Sequence, residues 1–134
     1  MIASGRGVGI DLVEIERIER ALERRPRLAS RLFCPAELEY AAGRRRPGRH
    51  LAARFAAKEA GIKALAARGI APNELEVVGG VPPRLRLHGR AATLARESGV
   101  ELEVSLTHSR ELAAAVVVSR PVAPAHSRHA AGAA

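Results

Sequence analysis

From about Arg49 to Ala67 the chain reads as one long helix, with Gly69 as its stop. At 100° per residue, Leu51, Phe55, Ile62, Leu65 and Ala66 form a single apolar stripe. Lys58 falls inside that stripe and Glu59 at its edge. Charges placed there are partly buried, which is costly unless they meet a partner, a metal or a ligand. Arg54 and Lys58 are four residues apart, a like-charge pair that costs ~0.2–0.5 kcal/mol on a bare helix and that a nearby anion relieves. A plainer reading stands beside this one. Glu59 and Lys63 have the order of a surface i, i+4 salt bridge, and Lys58 is long enough to snorkel out of the stripe.

The segments around this helix alternate in character. Arg6 to Ile10 reads as a short buried strand with Val8 and Ile10 as its apolar residues. Asp11 follows and opens a helical pattern through Ile15, Ile18 and Leu22, with Glu14 completing the start signal. Pro26 ends that helix. Pro35 suits the first turn of a second, short helix through about Ala42, and Arg44 to Arg49 is a basic connector. Leu75 to Val78 and Arg84 to His88 are candidate strands, the latter with Leu85 and Leu87 on one face. Ala91 to Glu97 is a short helix closed by Ser98-Gly99. Glu101 to Thr107 alternates through Leu102, Val104 and Leu106, and Leu112 to Val118 is a run suited to a central strand. These last two are expected to pair as a hairpin across His108 to Glu111. The expectation is one α+β domain over residues 1–120, in β-α-α-α-β-β-α-β-β order. A disordered tail is expected over 121–134, where Ala, Pro, His and Ser lack periodicity.

Composition narrows the rest. A chain of 134 residues suits one domain. Phe33, Tyr40 and Phe55 are the only aromatics, so the core is built from Leu, Val, Ile and Ala. Cys34 is the sole cysteine, which excludes an internal disulfide. No apolar stretch approaches the ~20 residues needed to span a membrane, and Met1 to Gly9 does not resemble a signal peptide; the expected location is cytoplasmic. The net charge of +8 and pI near 11.3 imply an anionic partner. Asp11 is the only aspartate, and Lys58 and Lys63 are the only lysines among 22 Lys and Arg residues.

Taken alone, Asp11 reads as a helix N-cap. A carboxylate at the end of a strand is also placed to hold a hard cation, and Glu59 offers a second oxygen ligand. Two carboxylates with water and substrate phosphates are the usual ligands of Mg²⁺. His108 ends a strand at a tight turn beside Ser105, Thr107 and Ser109. His50, His88, His126 and His129 show no pattern. There is no Gly-rich phosphate loop, CxxC pair or nucleophile elbow.

Three separated segments resemble one family. Gly7-Val-Gly-Ile-Asp11-Leu-Val-Glu-Ile-Glu-Arg-Ile18 is similar to the N-terminal signature of bacterial holo-acyl-carrier-protein synthases. Arg54-Phe-Ala-Ala-Lys-Glu-Ala60, continuing through Lys63-Ala-Leu65, resembles their central helix. Ser105-Leu-Thr-His-Ser109 with Ala113-Ala-Ala-Val-Val-Val118 resembles their closing hairpin. Phe33-Cys-Pro-Ala-Glu-Leu also fits, where the family usually has Thr or Ser near Cys34. The chain departs from the pattern at Gly61-Ile62, where Phe-Ser is common, and at Val81-Pro-Pro-Arg84, where Gly-Lys-Pro-aromatic is usual.

The resemblance implies a 4′-phosphopantetheinyl transferase fold and the transfer of 4′-phosphopantetheine from coenzyme A to a serine of an acidic apo-acyl carrier protein. Adenosine 3′,5′-bisphosphate is the second product, and fatty-acid or polyketide biosynthesis the setting. It implies a homotrimer with interfacial sites. Asp11 and Glu59 fall on the family's Mg²⁺-ligand positions. Arg54, Lys58, Lys63 and His108 fall where it contacts CoA phosphates, and Arg17 where its first helix meets the carrier. On this reading Asp11, Glu59 and Lys63 form the catalytic set. Lys63 stabilises or protonates the leaving nucleotide, and Glu59 is the candidate base, directly or through a metal-bound water. Two other classes compete. A small basic nucleic-acid-binding module suits the pI but lacks stacking aromatics and any groove-reading signature, so no nucleic-acid or membrane partner is expected. A non-catalytic carrier-binding relative is opposed by the intact carboxylates.

Overall fold

A three-stranded antiparallel sheet in the order β1-β5-β4 is laid against one long central helix in the computed structural model, which describes residues 6–123. Strand β1 is Gly7–Glu14, β4 is Val100–His108 and β5 is Leu112–Pro121. The β4–β5 hairpin turns after His108, and β5 is the central strand, both as expected from sequence. Between β1 and β4 run α1 (Ile15–Arg24), α2 (Leu28–Leu32), α3 (Pro35–Ala42) and α4 (Pro47–Leu65). A 3-10 turn at Pro72–Glu74, a two-stranded ribbon of β2 (Leu75–Val78) with β3 (Arg84–Leu87), and α5 (Gly89–Ser98) follow. The α+β class holds, and the short α2 is an addition to the expected order. Helix α4 ends on Ala66 in a left-handed conformation, three residues before the expected stop.

The opening of the chain differs from the sequence reading. Asp11 does not start a helix. The β1 backbone pairs with β5 without a break from Gly7–Ser119 to Glu14–Leu112, and α1 begins only at Ile15. Ladder pairing along eight residues outweighs a local cap signal. The strand is also not buried on both faces. Val8, Ile10 and Leu12 point outward at 65–68% exposure, while Gly7, Gly9, Asp11 and Val13 face α4. The expected tail lies outside the described residues from 124 onward, whereas Pro121 closes β5.

The near-absence of aromatics is matched by close helix-on-sheet packing. Ala52, Ala53, Ala56, Ala57, Ala60 and Ala64 of α4 are buried against Val13, Ala113, Ala115 and Val117 of the sheet. Small side chains let backbones approach, and two glycines take the approach to its limit. A Cβ on Gly9 would fall inside the Ala60 carbonyl oxygen, and one on Gly7 inside that of Ala64. Gly9→Ala is therefore expected to cost about 3 kcal/mol, the upper end of overpacking penalties, read as a lowered urea midpoint with an unchanged slope. No helix among the described residues is long and apolar enough to cross a membrane.

Candidate active site

The contact of β1 with α4 brings three of the expected site residues together. Asp11 projects from β1 on the face that meets α4, and Glu59 and Lys63 leave α4 one turn apart. The Lys63 ammonium donates to the Ile10 carbonyl at 2.9 Å and lies 3.4 Å from Asp11 Oδ1. Lys63 thus pairs across to β1. Asp11 and Glu59 both line a cleft of about 410 Å³, walled by apolar side chains of α1, α2 and α4 that include Ile18, Leu28 and Phe55. The exposed Arg17 lines the same cleft. Burial, and next the negative charge of Asp11, push the Glu59 carboxyl above its ordinary range, against the opposing pull of Lys63. Two neighbouring carboxylates, one of which raises the other's cost of ionisation, are a fitting donor set for a hard divalent cation, which removes that cost.

A second group gathers around Tyr40 on α3. The guanidinium carbons of Arg44 and Arg54 lie 4.2 and 4.1 Å from the ring centroid. His50 meets Tyr40 edge-on at 5.8 Å and His108 at 6.0 Å, so the β4–β5 hairpin joins the start of α4 here. Burial, then the charges of Arg49 and Arg54, pull His50 below its ordinary pKa. Arg54 is 6% exposed, and its Nε has no hydrogen-bond partner, nor has the buried Nε of Arg49. Buried cationic donors left without acceptors are the groups an anion satisfies. Of the four expected phosphate contacts, Arg54 and His108 fall in this basic cluster, and Lys63 does not. Tyr40, Arg44 and His50 were not singled out in sequence. His50 and Arg54 are one helical turn apart, a signal that was available.

Lys58 is elsewhere, and its expected phosphate contact is corrected. The side chain is fully buried on a different face of α4. Its ammonium lies 2.5 Å from Glu37 Oε1 and donates to the Leu75 and Pro72 carbonyls at 2.5 and 3.4 Å. Glu37 also accepts the backbone N–H groups of Cys34 at 2.9 Å and Val77 at 3.0 Å. The pair ties α3, α4 and β2 together and leaves no donor for a ligand in the cleft. Glu37 carried no signal as a lysine partner, because 21 residues separate the two.

Residues 7–117 match the 4′-phosphopantetheinyl transferase superfamily. The chain belongs to that superfamily. It is 51% identical over 118 residues to the holo-[acyl-carrier-protein] synthase of Moorella thermoacetica, covering 82% of this chain and 90% of the relative. It is 50% identical over 117 residues to the synthase of that name from Streptomyces griseus, covering 84% and 96%. Among solved structures, the ACPS–CoA complex of Chronobacterium ammoniagenes superposes with a TM-score of 0.73 at 33% identity, over 88% of this chain and 98% of that one. For this superfamily member the matched span runs from the first residue of β1 to the middle of β5. It takes in the carboxylate cleft and the Tyr40 cluster.

Proposed function

We propose that the chain is a holo-acyl-carrier-protein synthase, which transfers the 4′-phosphopantetheine group of coenzyme A to a serine of an apo-acyl carrier protein in fatty-acid or polyketide biosynthesis. The observation that carries this reading is the meeting of Asp11 and Glu59 at one cleft, with Lys63 paired to Asp11, in a chain half-identical to named synthases. The serine oxygen attacks the pantetheine-side phosphorus of the CoA pyrophosphate, the bridging P–O bond breaks, and adenosine 3′,5′-bisphosphate leaves. Asp11 and Glu59 would hold Mg²⁺, which when bound supplies positive charge against the charge that develops on the pyrophosphate. Glu59, in the cleft beside Asp11, is the candidate to accept the serine proton. Lys63, already beside Asp11, is placed to stabilise or protonate the departing phosphate. Arg54 and His108, with Arg44 and His50 around Tyr40, position the nucleotide phosphates.

The test is intact-mass spectrometry of an apo-acyl carrier protein incubated with CoA, Mg²⁺ and the chain. A gain of one phosphopantetheine that EDTA abolishes is expected. No gain on several carriers together with no CoA binding overturns the reading. Arg17 lines the cleft and, with Arg20, Arg24, Glu14 and Glu16, a neighbouring groove along α1; Arg20 pairs with Glu16, so Arg17 and Arg24 are the charges offered to an acidic carrier. The second-order rate of carrier modification is expected to fall steeply with salt, and less so in Arg17→Ala, measured by stopped-flow or initial rates across ionic strengths.

The assembly proposed is a homotrimer with sites between subunits. Val8, Ile10 and Leu12 of β1 form an exposed apolar face with Val116 and Val118 of β5, in direct cross-strand register at Val8–Val118 and Ile10–Val116. A contiguous face of this kind marks an interaction surface. Light scattering after size exclusion is expected to give three times the chain mass, and Ile10→Glu, which places a charge in that face, to give the monomer with transfer activity lost.

A further inference from the structure

On the side of α4 that holds Lys58, three side chains of metal-ligating type converge from separate elements. Cys34 precedes α3, Glu76 lies in β2, and His88 precedes α5. Their Sγ, carboxylate oxygen and ring nitrogen all lie within 4.8 Å of one another. We propose that Cys34, Glu76 and His88 form a zinc site, separate from the carboxylate cleft and independent of the transferase reading.

The donor set is the first argument. One thiolate, one imidazole and one carboxylate is a mixed S, N, O combination that suits Zn²⁺ and disfavours Mg²⁺ or Ca²⁺, which take oxygen ligands. Three protein ligands leave a fourth tetrahedral position for water. Zinc bond lengths of about 2.0–2.3 Å put tetrahedral ligand atoms about 3.2–3.8 Å apart, so atoms already within 4.8 Å need only a small movement. Charge is the second argument. A thiolate, a carboxylate and a neutral imidazole balance Zn²⁺ to zero, which is the form tolerated where Glu76 is 7% exposed. Loading releases the thiol proton of Cys34 to solvent.

The surrounding structure holds the three groups in place. His88 Nε2 is 2.8 Å from Glu76 Oε1, and the Cys34 thiol donates to the Asn73 carbonyl at 3.2 Å. The His88 backbone N–H donates to the Glu74 carbonyl at 2.7 Å, and the Glu74 carboxylate accepts the N–H groups of Arg90 and Ala91 at 2.6 and 3.2 Å, fixing the start of α5. Arg86 approaches Glu76 only to 3.9 Å, from the solvent side. A metal here would cross-link the start of α3, β2 and the start of α5, which a chain with one cysteine cannot do with a disulfide.

The test uses untagged full chain and one equivalent of Co²⁺ as the spectroscopic probe. The expected result is a thiolate-to-cobalt charge-transfer band in the near ultraviolet with intense visible bands of a four-coordinate ion, bleached stoichiometrically by Zn²⁺. Because Cys34 is the only cysteine, the thiolate band reports this site and no other histidine or carboxylate. It is expected to vanish in Cys34→Ser, to persist in Asp11→Ala, and to need at least about tenfold more cobalt in His88→Gln and in Glu76→Gln. Absence of the band from the folded native chain overturns the proposal, as does a band whose affinity is unchanged in both His88→Gln and Glu76→Gln.

Discussion

Lys58→Ala is expected to destabilise the fold by about 3–5 kcal/mol, the cost of leaving one member of a buried ion pair unpaired. Both side chains of the pair are fully buried, so solvent does not screen the loss. Alanine removes the ammonium but leaves the Glu37 carboxylate among α3, α4 and β2, and leaves the Leu75 carbonyl without its donor. It also opens a cavity where a long side chain lay against Phe33. The double variant Glu37→Gln, Lys58→Met is expected to recover part of the loss, because neutral groups of similar volume carry no unpaired charge. Urea denaturation followed by circular dichroism measures both. Near-native stability of Lys58→Ala with a raised KM for CoA is the opposite outcome, and it would restore the phosphate-binding role the sequence suggested.

Asp11→Ala has the reverse profile. Transfer activity is expected to fall by about a thousandfold, since a carboxylate holding the catalytic cation accounts for several kcal/mol of transition-state charge stabilisation, at about 1.36 kcal/mol per tenfold in rate. Stability is expected to change by no more than about 1 kcal/mol, because the ion pair lost among the described residues is to an ammonium whose side chain is 55% exposed. The Glu59 carboxyl is expected to titrate lower in this variant, since the charge of Asp11 is the second cause of its elevation after burial. Intact-mass kinetics read the activity, and a carbon-detected NMR titration reads Glu59. Unchanged activity in a folded variant would remove Asp11 from the site, and an unshifted Glu59 would show that the two carboxylates do not interact.

Much of the architecture was legible because it rests on local periodicity. Two-residue alternation in Arg84–Leu87 and Val100–His108, and the β-branched run of β5, report which faces are covered, and those strands formed where expected. Pro35 marked the first turn of α3, and Gly99, at φ 65°, the end of α5. Asp11 and Glu59 were also singled out in sequence as candidate cation ligands, Glu59 on a helix and Asp11 at a strand end that was read as the start of a helix. Their shared cleft depends on Gly7 and Gly9, which the sequence displays but whose partner backbone it does not.

What the tertiary structure decided was the partner of each charge. Helical period placed Lys58 in an apolar stripe and so indicated burial, but period names a face and not the element that covers it. Glu37 from α3 arrives on that face and Asp11 from β1 on another, so two lysines five residues apart have opposite fates, one sealed in the core and one exposed beside Asp11. The same limit hid the meetings of His50 with His108 and of Cys34 with Glu76 and His88, whose members are distant in sequence. The end of β1 was decided by the same long-range contacts. The signal at Asp11 and Glu14 is a true helix-start pattern. It yields because a strand paired along its full length gains more from its ladder and from burial against α4 than four residues gain from an early helical turn.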